Sequence, residues 1–295
     1  MTVRDYPSLL DTLGRGAPVA LQGVTGGCIA DARIVGFADG SSVFVKSGAG
    51  AFREEAAGLQ ELAAADAIRV PRVLAVDGDA LVLERIESAP AREAFFETFG
   101  RRFARLHEYR GRACGFAADN TIGATPQPNA PLGADWNNFP DAPGDGADWP
   151  EFFLERRLRF QVRLAAQNGH GNALAHLLDR AERVVLELLA AAPEPPSLLH
   201  GDLWSGNFIT DERGEPCLID PAVYYGHREA DLAMTRLFGG FAPAFYAAYA
   251  EALPLAPGHA ERLPLYQLYH LLNHLNLFGG GYYAQSERIL RRFAR

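Results

Sequence analysis

Along the first third of the chain, apolar positions alternate in short runs punctuated by turn residues. Ala32 to Phe37 and Ser42 to Lys46 read as strands, with Ala38-Asp39-Gly40-Ser41 as the turn between them. Val73 to Val76 and Ala80 to Leu83 flank Asp77-Gly78-Asp79 in the same way and predict a second hairpin. Between them, Ala51 to Ala65 is rich in Ala, Glu and Leu and free of proline, which predicts a helix. After Glu84 the period lengthens. Helical spacing runs over residues 91–110, 149–192, about 229–252 and 262–295. Residues 119–150, dense in Pro, Gly, Asn and Asp, break the pattern and predict a long loop.

This pattern predicts an α+β chain with two lobes. Residues 1–86 form a small antiparallel-sheet lobe with one helix, and residues 87–295 form a larger, mainly helical lobe. Residues 84–87 connect them, and a cleft between the lobes is the expected ligand site. At 295 residues the chain can bury a substantial core.

Composition narrows the functions. The formal net charge is −8 without a basic run, which argues against a nucleic-acid partner. No stretch approaches the roughly 18 apolar residues of a membrane span, and Arg4, Asp5 and Asp11 interrupt any leader-like segment. Cys28, Cys114 and Cys217 are too few and too scattered for a disulfide framework or a zinc site. A cytoplasmic monomer is the expectation, with a dimer as the alternative. Arginine supplies 27 of the 28 basic side chains, and Lys46 is the only lysine. A position that keeps lysine in such a chain reflects either chance survival in a GC-rich coding sequence or a need for a compact ammonium, which guanidinium cannot imitate.

The chemistry concentrates in His200-Gly201-Asp202-Leu203-Trp204-Ser205-Gly206-Asn207 and in Asp220, thirteen residues further on. The same spacing occurs in the catalytic loop and metal-binding Asp of protein kinases. Asp202 is the candidate base for a hydroxyl proton, and Asn207 and Asp220 are the candidate Mg²⁺ ligands. Lys46, at the end of Val43-Phe44-Val45-Lys46, has the strand context of the lysine that contacts the α- and β-phosphates of ATP. Its partner should be Glu55 on the following helix rather than Glu54, because neighbouring helical residues point about 100° apart. Gly26, Gly27 and Cys28 lie in a Gly-rich turn about twenty residues before Lys46 and are expected to cover the phosphates. Cys28 is either a redox-sensitive thiol or a small filler. Glu84, Arg85 and Ile86 should meet the adenine edge.

These segments resemble the fructosamine-kinase (ketosamine-3-kinase) family, within the wider aminoglycoside-phosphotransferase and choline-kinase group. The resemblance is carried by HGDLWSGN at 200–207, DPAVYYGHREADLAM at 220–234 and TPQPN at 125–129. DWPEFFLERRL at 148–158, YQLYHLLNHLNLFG at 266–279 and VFVK at 43–46 extend it over nearly the whole chain. HGDLxxxN is widespread among small-molecule kinases; the Trp-Ser-Gly insert and AVYYGHRE are narrower. The resemblance implies a protein-kinase-like fold and phosphoryl transfer from Mg-ATP to the C3 hydroxyl of a ketosamine, free or protein-bound, in deglycation. It places Trp204 at the sugar wall, unless that ring packs the loop, and His274 on the substrate side. Asp231 would orient the catalytic loop. His270 and His274, four apart, could suggest a metal pair, but no third ligand accompanies them. Residues 130–147 depart from the family pattern as an insertion. Another small-molecule kinase, for an aminoglycoside or choline, is the alternative; a non-catalytic nucleotide-binding scaffold is the other.

Overall fold

The computed structural model describes residues 7–24, 31–140 and 142–294. They pack as two compact units: the chain up to Phe95 together with Asn207–Pro221, and Phe96–Gly206 together with the chain from Ala222.

The first unit is built on a five-stranded antiparallel sheet in the order β1-β2-β3-β5-β4. The strands are β1 (Pro18–Val24), β2 (Asp31–Phe37), β3 (Ser42–Ser47), β4 (Val73–Val76) and β5 (Ala80–Glu84). Val35, Phe37, Val43, Val45, Ala80 and Val82 form its core with Leu10 of α1 (Pro7–Asp11). Strand alternation does the sorting: Val43, Val45 and Ser47 are buried, so Phe44 and Lys46 face the other side of β3. Helix α2 (Phe52–Ala64) packs on β4 and β5 and buries Phe52, Ala56, Leu59 and Leu62 along one stripe.

The second unit is mainly helical. It opens with α3 (Phe95–His107), the hairpin β6 (Asn120–Ile122) and β7 (Thr125–Gln127), and α4 (Trp149–Phe152). Helix α4 runs into a π-helical stretch, Phe153–Arg159, and then into α5 (Phe160–Ala165). A second π-helical turn, Ala166–His170, precedes α6 (Ala173–Ala190), and β8 (Ser197–Leu199) follows. The chain then contributes a hairpin to the first unit, β9 (Phe208–Thr210) and β10 (Pro216–Leu218). Back in the second unit, β11 (Tyr224–Gly226) pairs with β8. Helices α7 (Glu229–Leu237), α8 (Pro243–Ala252), α9 (His259–Phe278) and α10 (Tyr282–Phe293) complete it. Among the described residues no helix is long and apolar enough to cross a membrane.

Three runs of helical spacing are interrupted at glycines. The run 149–192 breaks at Gly169 and Gly171, with φ of 88° and 73°. The run 229–252 breaks at Gly239 and Gly240, and 262–295 at Gly279 to Gly281. The expected 91–110 helix is confined to Phe95–His107. The 119–150 segment, expected as one long loop, holds the β6–β7 hairpin and is strapped down. Asp119 accepts the Asn129 N–H at 2.7 Å, and the Gly144 N–H donates to Gly111 O at 2.9 Å. Trp136, inside the 130–147 insertion, stacks on Tyr225 with ring centroids 5.8 Å apart. Residues 207–221 lie beyond residue 86, yet pack with the sheet: Cys217 bridges to Arg69, and the Leu218 N–H donates to Arg69 O at 2.9 Å.

Candidate active site

In the first unit, Lys46 sits between two carboxylates. Its Nζ lies 2.7 Å from Glu55 Oε1 and 2.5 Å from Asp220 Oδ1. Of the adjacent pair on α2, Glu55 is therefore the residue that reaches Lys46. Burial disfavours the ammonium, but Glu55 and Asp220 outweigh it and hold Lys46 above its ordinary pKa. Glu55 is pushed up, by burial first and by the Asp220 charge, against the pull of Lys46. One ammonium against two carboxylates leaves local negative charge, and Asp220 keeps 44% of its side chain exposed.

Asp220 adopts φ of 54°, the left-handed region that non-glycine residues rarely enter. Such conformations cluster where geometry is under functional constraint. Asn207 is tied to the same place. Its carbonyl accepts the Ile219 N–H at 3.1 Å, and its Nδ2 donates to Asp220 O at 3.4 Å. A carboxylate and an amide, both offering hard oxygen, with surplus negative charge beside them, fit a small divalent cation such as Mg²⁺. Two protein ligands are enough for an ion that phosphates also hold, and among the described residues no cluster of three or more His, Cys, Asp or Glu could hold a metal by itself. His274 Nδ1 lies 2.8 Å from the His270 carbonyl, within its own helix.

In the second unit, the loop bearing Asp202 is held by Asp231. The successive N–H groups of His200 and Gly201 donate to Asp231 Oδ2 and Oδ1 at 2.7 and 2.9 Å. His107 Nε2 lies 3.3 Å from Oδ2, while its Nδ1 is 2.7 Å from Tyr249 OH. Burial alone would raise the Asp231 carboxyl; the His107 contact and the Gly201 N–H reverse this and hold it below its ordinary value. Gly201 is obligatory, with φ of 83° and a Cβ that would stand 1.9 Å from Ala222 O. The Asp202 N–H donates to His200 Nδ1 at 3.3 Å, and Asp202 itself is half-buried. Trp204 is 39% exposed and lays its ring over Gly206, where a Cβ would meet it at 2.4 Å. His274 is ringed by Phe238, Phe278 and Tyr282, at centroid distances of 4.6, 5.5 and 5.2 Å.

Glu84 ends β5 with its carboxylate engaged by Arg69 Nη2 at 2.9 Å and by Arg72. Arg85 reaches Ser42 Oγ at 3.1 Å, and Ile86 is half-buried. Gly26, Gly27 and Cys28 lie outside the described residues. Sequence reasoning missed Arg69, which also pairs Asp211 and Glu212 at 2.9 and 2.6 Å and so fastens the β9–β10 hairpin to the sheet. No local signal marks it, because Asp211 and Glu212 lie some 140 residues away. It likewise missed Gln127 and Arg157, both fully buried within the segments 125–129 and 148–158.

A mixed sheet-and-helix chain in which a strand lysine is held by a helix glutamate and by an aspartate just after a β-hairpin has the architecture of the kinase-like phosphotransferases. At 15% identity, the macrolide 2'-phosphotransferase of Brachybacterium faecium superposes with a TM-score of 0.56 over 98% of this chain and 97% of its own, a likeness of fold alone. The match at family level is narrower. The family model for fructosamine kinase matches residues 8–295, and the chain belongs to the fructosamine kinase family. It is 44% identical over 251 residues to the probable ketoamine kinase of Synechocystis sp., covering 83% of this chain and 79% of that protein. To the chloroplastic protein-ribulosamine 3-kinase of Oryza sativa subsp. japonica it is 38% identical over 300 residues, covering 96% and 82%. A candidate fructosamine-3-kinase from Thermobifida fusca superposes with a TM-score of 0.82 at 33% identity, over 98% of both chains. Membership makes the protein a phosphotransferase with an alcohol group as acceptor.

Proposed function

We propose that the protein phosphorylates the C3 hydroxyl of ketosamines, of the fructosamine or ribulosamine type, with Mg-ATP as donor, and acts in deglycation. The observation that carries the reading is the Lys46–Glu55–Asp220 arrangement in a chain of this family. Lys46, kept charged and aimed by Glu55, contacts the α- and β-phosphates. Asn207 and Asp220 would hold Mg²⁺, which would supply charge neutralisation of the phosphate oxygens. Asp202 orients the C3 hydroxyl and takes its proton as the oxygen bonds to the γ-phosphorus and the bond to the departing ADP oxygen breaks. The half-exposed Trp204 ring lines the sugar, with His274 on the substrate side. A 3-phosphorylated ketosamine then decomposes and frees the amine. Cys114 and Cys217 are unpaired and buried, which suits a reducing compartment such as the cytoplasm.

ADP release with Mg-ATP and a panel of fructosyl-lysine, ribulosyl-lysine, choline and an aminoglycoside tests the reading. Turnover confined to the ketosamines, and about 10²–10⁴-fold lower in Asp202→Asn, is expected. Turnover on choline or the aminoglycoside alone would discard the substrate; full activity of the variant would discard the base.

A further inference from the structure

Gln127 belongs to the TPQPN segment that ends the β6–β7 hairpin, and it is 1% exposed. Its amide is engaged on both ends. Nε2 donates to Ala222 O at 3.0 Å and to Asn120 Oδ1 at 2.8 Å, while Oε1 accepts from Tyr269 OH at 2.6 Å. Asn120 Nδ2 in turn donates to Val223 O at 2.8 Å. The Ala222 peptide is the point that matters. Its N–H donates to His200 O at 2.8 Å, and its carbonyl is the atom that crowds Gly201. The segment leading to Asp202 is thus pinned against Ala222 on one side, and Gln127 holds Ala222 from the other. No other uncharged side chain of this reach donates twice and accepts at once. Burial pushes the Tyr269 phenol well above its ordinary pKa, and the Asp202 charge adds to this, so the phenol remains a donor to Gln127.

We infer that Gln127 is a positioning residue for the catalytic base: through the Ala222 carbonyl it sets the backbone against which His200 and Gly201 place Asp202. The inference rests on the reading of Asp202 as base. It differs from a packing role in what it predicts. Misplacing a reacting group by about 1 Å costs up to about 10²-fold in rate, whereas the groups that bind ATP lie on other elements.

Two variants make the test. Gln127→Glu keeps shape and the acceptor for Tyr269 but loses donation to Ala222; Gln127→Met keeps volume without introducing a buried charge. The expected result for the folded protein is a kcat lower by about 10–100-fold with KM for ATP and ketosamine within about threefold. Amide hydrogen exchange should accelerate at Ala222, His200 and Gly201 by about tenfold or more, while α6 and α9 keep their protection. Unchanged exchange at these three amides in both variants overturns the inference, as does uniform acceleration across α6 and α9. A wild-type protein inert on ketosamines would instead sink the functional reading, and the exchange measurement would still decide the role of Gln127.

Discussion

Lys46 is the residue whose chemistry admits least substitution. Its ammonium bridges Glu55 and Asp220 at 2.7 and 2.5 Å, and its side chain is 13% exposed. A guanidinium is planar, longer and more weakly hydrated, so it cannot occupy the same point between two carboxylates. Lys46→Arg should retain the fold yet lose turnover by about tenfold or more, approaching the 10²–10³-fold cost of losing one preorganised contact to developing charge. Steady-state ADP release at saturating substrate measures it, and wild-type turnover would show that any cation serves. The sequence singles this residue out because it stands alone as lysine in an arginine-rich chain. It singles out Glu55 as well, once the helix of residues 51–65 is in place, since only one of two adjacent side chains can face β3.

Among the elements, contiguous signals were legible and distant ones were not. The β2–β3 and β4–β5 hairpins and α2 followed from local alternation and turn chemistry. Apolar periodicity does not mark the helix breaks, because it resumes beyond each glycine cluster, although left-handed glycines are themselves stop signals. The three-residue strands β8 to β11 carry no period to detect. The loop bearing Asp202 was visible as a motif, but His107 and Gln127, which brace it through Asp231 and Ala222, are marked by partners about a hundred residues away. Gly201 joins the two levels: it lies within the motif, and a Cβ there would meet Ala222 O. Gly201→Ala must accept φ of 83° and a contact of 1.9 Å to a carbonyl. Left-handed strain alone costs about 1–2 kcal/mol. We expect urea unfolding to report a loss of at least that size, with turnover falling further than stability because Asp202 is the next residue.

For the whole molecule, buried histidines dominate the response to acid. Burial lowers His107, His227 and His274 below their ordinary value and pushes His270 down to about 3. Below the unfolded value of 6.5 the unfolded chain binds protons that the native state refuses, so stability falls as pH falls. His270 alone removes about 1.4 kcal/mol per pH unit through the window from 6.5 to about 3. The carboxyls held below their ordinary values, Asp231 and Glu194 among them, add their loss as pH drops below their ordinary values of 3.8 and 4.5. Urea midpoints measured from pH 7 to pH 5 should therefore decline, and His270→Leu should flatten the decline by about that slope. An unchanged slope would mean that His270 is not kept neutral in the folded protein.

The placement of Lys46 also governs what the protein presents to an electrophile. A carbonyl compound attacks only an amine that has lost its proton, and this chain has one ε-amino group in 295 residues. That group is held protonated by two carboxylates and is largely covered. Side-chain guanidinium groups, the remaining cations, stay protonated throughout the physiological range. To reducing sugars its side chains are a poor target: this member of the fructosamine kinase family offers almost no lysine nucleophile of its own to a sugar carbonyl.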